Sequence, residues 1–178
     1  MRTNIIGVAG LIALGISSRL LPHPPNMTMI SAIALKSRSR FGTLGLAIPL
    51  ASMILSDAII GFYDWKLLIS VYASFALISV LGAFVKSDAS ITRIGAVSAF
   101  GSTLFFLITN TVVWALSTWY PHTAGGLLAC LAAGLPFYRY MLAGDIVAGI
   151  AMYKLPQVAA ALALRRYLGK HSFRPASQ

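Results

Sequence analysis

Two aspartates, Asp57 in LSDAIIGF and Asp145 in MLAGDIVAG, stand inside long apolar runs, and Asn110 does the same in FLITNTVVW. Placing such a group at the centre of a bilayer costs roughly 3 kcal/mol on insertion scales, so those present bind a ligand, carry an ion or proton, or pair with a neighbouring helix. Counting along the runs brings Asp57, Asn110, Asp145 and Tyr72 to a similar depth near one end. Thr103, Phe106, Asn110 and Trp114 share one helical face, and Met53, Asp57 and Gly61 share another. The connections at that end add His23, Asn26, Tyr63, Trp65, Trp119, Tyr120 and His122. A few polar groups among aromatics is the usual lining of a small-molecule pocket. The expected substrate-binding set is therefore Asp57, Tyr72, Asn110, Trp114, Asp145, His23, Asn26, His122 and Arg139.

Plainer roles compete with this one. Trp65, Trp119 and Tyr120 also suit the membrane interface as anchors. Asp57 could accept a bond from a neighbouring helix or pair with Arg139, and Asp145 could pair with Arg139 about a turn and a half away. Enzyme chemistry is not expected: the chain has no Glu, no paired acids, no nucleophile beside a base and no phosphate-cradling glycine loop. None of the three histidines, His23, His122 and His171, lies in a span, which argues against a haem between helices. His23, His122 and Cys130 could meet as a metal cluster, but scattered His and Cys usually pack locally, so no metal or cofactor is expected. The single cysteine excludes an intrachain disulfide.

These side chains need elements to hold them. Hydrophobic residues make up 58% of the 178 and charged ones 10%, the composition of a membrane protein, with no room for a separate soluble domain. A crossing helix takes about 20 apolar residues. Spans are expected at 4–21, 27–40, 42–62, 67–84, 94–116 and 138–153, with a short outer helix at 123–135 and a basic amphipathic helix at 156–168. The 14 Lys and Arg against four acids, net +10, read as topology and anionic-lipid contact instead of nucleic-acid binding, because the charges are scattered between spans. If 27–40 crosses, the clusters at Arg2, at Lys36, Arg38 and Arg40, at Lys86 and Arg93, and at Arg165, Arg166, Lys170 and Arg174 share one side. The expectation is an all-α polytopic protein, one integral membrane domain over 1–178, six transmembrane helices and both termini cytoplasmic. Arg2 before the apolar stretch 5–16 looks like a signal peptide, yet SSRLLPHPP lacks a small-x-small cleavage site, so a retained first helix is expected.

In RLLPHPPN, Pro22, Pro24 and Pro25 stop the first helix and stiffen a short outer connection, and Asn26 is placed to cap the next helix. Ala9 and Ala13, four apart on the first helix, allow close approach of another helix, internal or in a partner.

RLLPHPPN, IPLASMILSDAIIGF, FFLITNTVVW, YPHTAGGLLAC and LPFYRYMLAGD together resemble a family of small integral membrane proteins of unknown function, over nearly the whole chain. More remotely, the six expected spans and PFYRYM are similar to the substrate-binding S components of energy-coupling factor (ECF) vitamin transporters. That resemblance implies an S-component-like bundle. It also implies a ligand held near the outer surface and contact with a coupling subunit through AxxxA on the first helix, matched by Ala9 and Ala13. ATPase partners would supply energy; solitary or homo-oligomeric action is the alternative. The resulting expectation is a non-enzymatic protein of the cell membrane, bacterial inner or plasma membrane, that binds a small molecule such as a vitamin or cofactor precursor in an outward-facing cavity for uptake. The alternatives are an ion- or proton-coupled carrier or channel using Asp57 and Asp145, and a membrane-embedded lipid enzyme.

Overall fold

A computed structural model describes residues 5–171, so Arg2 and Arg174 of the charge pattern lie outside the described residues. All regular structure among them is helical: α1 (Ile5–Leu20), α2 (Ile30–Phe41), α3 (Ala47–Ile60), α4 (Trp65–Leu81), α5 (Ile91–Leu116) and α6 (Ala124–His171), with 3-10 turns at Gly42–Leu46 and Gly82–Phe84.

The sequence sets most of the boundaries. α1 stops just before Pro22, which cannot donate the next helical bond. Asn26 turns the chain with φ 60°, so it serves as the left-handed turn residue and not as the expected cap. α2 starts four residues later without a side-chain cap on Met29; instead Ser18 Oγ of α1 accepts the Met29 N–H at 3.2 Å. Asp64 Oδ1 accepts from Lys66 and Leu67 at the start of α4, and Ser90 Oγ accepts from Arg93 at the start of α5. Gly42 and Gly61, at φ +61° and +109°, end α2 and α3 in conformations that a Cβ would strain.

α1 and α3 run the same way, with Gly15 of α1 packed on Ser52 of α3. α5 and α6 run antiparallel, with Asn110 beside Gly134, Ser102 beside Asp145 and Ser98 beside Gly149. α2 touches α1, α3, α4, α5 and α6. Its residues Ile30–Leu35 are 0–2% exposed, and with Phe75, Ile78, Ile94 and Tyr153 they make the core.

Four helical stretches are long and apolar enough to cross a membrane: Ile30–Ile60, Trp65–Phe84, Ile91–Leu116 and Ala124–Leu168. The expected six spans are not supported. α1 has 16 residues and α2 only 12, short of the roughly 20 that cross the hydrocarbon core, and α2 doubles back on α3 through the 3-10 turn, where Ser37 bonds Gly45 O. The outer helix 123–135, the span 138–153 and the basic helix 156–168 also fuse into one 48-residue α6 that runs through Pro136 and Pro156. Tertiary bonds flank each proline. Cys130 and Tyr138 are held by Asn110 O and Thr103 around Pro136, while Lys154 and Gln157 bond Ala89 O and Ser87 O around Pro156. Neighbours thus hold the axis where a backbone donor is missing.

Where α2 turns into α3, Ser37 Oγ donates to Gly45 O at 2.8 Å, and a Cβ on Gly45 would overlap the Ser37 carbonyl. On Gly82 it would overlap Leu35 O, whereas on Gly10 it would meet nothing within 4 Å. Gly45→Ala and Gly82→Ala are each expected to lower Tm by roughly 5–10 °C, a loss of about 2–3 kcal/mol. Gly10→Ala should leave it unchanged or raise it, since alanine favours the helix by up to about 1 kcal/mol. Thermal unfolding followed by circular dichroism in micelles measures all three.

Candidate functional site

Arg19, in the last turn of α1, crosses to α3. Its Nη2 lies 2.5 Å from Asp57 Oδ1, an ion pair without the alignment of a hydrogen bond. Its Nη1 donates to Ser56 Oγ and, at 3.2 Å, to Met53 O. From α4, Tyr72 Oη donates to the other carboxylate oxygen, Asp57 Oδ2, at 2.5 Å. Asp57 is 1% exposed, and the Arg19 side chain 15%. A carboxylate buried this deeply is tolerable only with a counter-charge and further donors, and Arg19 and Tyr72 supply both. The three groups tie α1, α3 and α4 together at the end where the proline connection joins α1 to α2.

Beside this pair is a cavity of about 310 Å³. Arg19, His23, Asn26, Thr28 and Tyr63 form its polar wall, and Met53, Ile60, Val71, Phe75, Phe105 and Met141 its apolar wall. Asp57 does not line it; no carboxylate does. The polar wall is therefore rich in donors: a guanidinium, two hydroxyls, an imidazole and an amide. Burial first, and the Asp57 charge second, push the Tyr63 phenol above its ordinary value, so it keeps its proton and can donate at neutral pH. A smaller cavity of about 60 Å³ adjoins, sharing Asn26, Phe105 and Met141 with the first and reaching Asn110 and Tyr138.

Residues 1–167 match the model of a family of unknown function, DUF6580. The chain belongs to that family. No curated protein and no solved structure matches it, and nothing found links it to ECF S components.

In this DUF6580 member the expected site residues divide among several places. His23 and Asn26 line the main cavity, and Tyr72 and Asp57 stand behind Arg19. Asn110 reaches only the side cavity, where its amide donates to Phe106 O at 2.8 Å. Trp114 and His122 do not join them: the indole donates to Pro121 O at 2.9 Å and the two rings stack edge-on at 5.7 Å, stabilising the α5–α6 connection. Arg139 pairs with neither aspartate; it is exposed and lies over Tyr140. Asp145 lies apart in the α2–α5–α6 core, 2% exposed, with Ser102 Oγ donating to it at 2.7 Å and Ser31 also bonded. His23, His122 and Cys130 form no cluster, and among the described residues no group of His, Cys, Asp or Glu could hold a metal. Ala9 and Ala13 are exposed on α1.

Arg19 is the residue the sequence reading passes over. The signal was there: Arg19 is one of few cations at that end, at the same depth as Asp57, and has to find an anion. Arg19→Gln leaves the buried Asp57 charge unpaired and is expected to cost roughly 3–5 kcal/mol. Replacing both partners, Arg19→Met with Asp57→Leu, should recover most of that loss. Equilibrium unfolding of the three variants in micelles checks the ordering.

Proposed function

We propose that this protein binds a small molecule in the Arg19 cavity and takes part in its uptake across the membrane, as ECF S components do. The observation that carries the reading is the cavity itself. About 310 Å³ falls at the lower end of the range for ligand pockets, and one wall of donors facing one wall of Met, Phe, Val and Ile suits a compact ligand with an apolar body and an acceptor-rich edge. A vitamin or cofactor precursor has that character. The scarcity of basic residues near His23 supports an outward orientation of the mouth. The exposed Ala9 and Ala13 leave α1 open to close contact with a coupling subunit or a second copy, and ATPase partners would supply the energy.

A second reading, an ion- or proton-coupled carrier, draws on Asp145. It is fully buried and bonded by hydroxyls, and no basic side chain pairs with it among the described residues. An intramembrane carboxyl without a counter-charge is a common proton-relay element. Uptake in membrane vesicles driven by a proton gradient and abolished by Asp145→Asn would favour it.

The leading reading is tested by native mass spectrometry of protein purified from its own membrane. A retained small molecule is expected, with occupancy reduced about tenfold in Arg19→Lys, which keeps a cation for Asp57 but loses the guanidinium fork, and about fivefold in Tyr63→Phe. Equal retention in both variants would overturn this placement of the site.

A further inference from the structure

At the opposite end of the bundle a cleft of about 520 Å³ opens between the α2–α3 turn and the α4–α5 connection. Arg38, Ser39 and Thr43 stand on one side and Lys86 and Ser87 on the other, with no acidic lining. The nearest acid in sequence, Asp88, is exposed and does not line it.

The cations around it differ in occupation. Lys36 lies over the Tyr153 ring, Arg40 over Phe41, Arg93 donates to Phe84 O, and Lys154 donates to Ala89 O. Arg38 and Lys86 have no carboxylate partner among the described residues, and Arg38 Nε is buried without an acceptor. A buried guanidinium N–H left unsatisfied is costly, and an arriving anion offers compensation. The fold also fixes the arginine in place: the 3-10 turn after α4 packs so closely that a Cβ on Gly82 would sit 2.9 Å from Arg38 Cβ, and Ser39 Oγ donates across the cleft to Val85 O at 2.6 Å.

We infer that this cleft seats the phosphate of an anionic phospholipid, with Arg38 and Lys86 as its charged contacts. A guanidinium fork matches phosphate oxygens, an ammonium adds a point charge, and the Thr43 and Ser87 hydroxyls are further donors. A lipid is favoured over a soluble anion by the surroundings. Leu44 and Phe84, each more than half exposed, adjoin the lining residues Thr43 and Val85 in the chain and provide apolar surface for the acyl chains. Basic pockets between helices at a membrane surface bind anionic headgroups in this way.

The test adds phosphatidylglycerol, phosphatidylcholine or inorganic phosphate to the full-length protein in micelles and follows bound lipid by native mass spectrometry and stability by thermal unfolding. Phosphatidylglycerol should bind and raise Tm, and phosphatidylcholine and inorganic phosphate should do neither. Lys86→Gln and Arg38→Gln should each lower lipid occupancy ~5-fold, while Lys66→Gln at the other end leaves it unchanged. Equal effects of the two lipids, full stabilisation by inorganic phosphate, or wild-type occupancy in the variants would overturn the assignment. Lys86 is exposed, so its variant decides the outcome if Arg38→Gln does not fold.

Discussion

Ile30–Leu35 of α2 lie at the centre of the bundle with almost no exposed surface, and every other helix is arranged around them. A 12-residue helix is about 18 Å long, well short of the ~30 Å hydrocarbon core, and it carries Ser, Lys and Arg along its second half. Such an element would be costly if it faced lipid. Enclosed by five neighbours, its first half faces only protein, while Arg38, Ser39 and Arg40 reach the open end of the bundle. Ser18 accepts its first donor, and Ser37 and Tyr153 hold its inner half to the following turn and to α6. The burial of α2 obliges α1, α3, α4, α5 and α6 to approach one another closely, which is why the contacts fall at glycine and serine.

Polarity runs opposite to that of a soluble domain. Nine serines are buried beside the apolar core, most of them donating to a carbonyl one helical turn back, while many other Ile, Leu, Phe and Trp side chains face outward. Between helices immersed in lipid, close packing of small side chains and a few interhelical bonds provide the attraction that the hydrophobic effect provides in water. The two ends of the bundle then separate chemically. One holds a cation neutralised by Asp57 beside a donor-lined cavity; the other holds cations without anions around an open cleft.

The helical class, the membrane composition and the break at Pro22 were legible because local rules decide them, whereas Gly61, expected inside the span 42–62 on the face of Asp57, ends α3 instead. The number of crossings was not. Charge parity treats each basic cluster as a loop, but α2 carries its cations inside the bundle, with Lys36 over the Tyr153 ring. Pro136 and Pro156 read as helix ends because a proline removes one bond, and only the packing of α5 and the α4–α5 connection shows the helix continuing. Within the site, counting depth along the spans placed Asp57 and Tyr72 at one level on different helices, and they touch. Trp114 was expected on the face of Asn110, and His122 and Arg139 near the same end, yet all three face elsewhere, since nearness to one end says nothing about direction around a helix.

α6 is about 70 Å long, more than twice the hydrocarbon thickness, and from Leu155 to Leu168 it is exposed on all sides. The bonds that tie it to its neighbours run from Cys130 on Asn110 O to Gln157 on Ser87 O. Arg165 and Arg166 stand roughly 12 Å beyond Gln157 along the axis, so the helix carries two cations clear of the packed bundle.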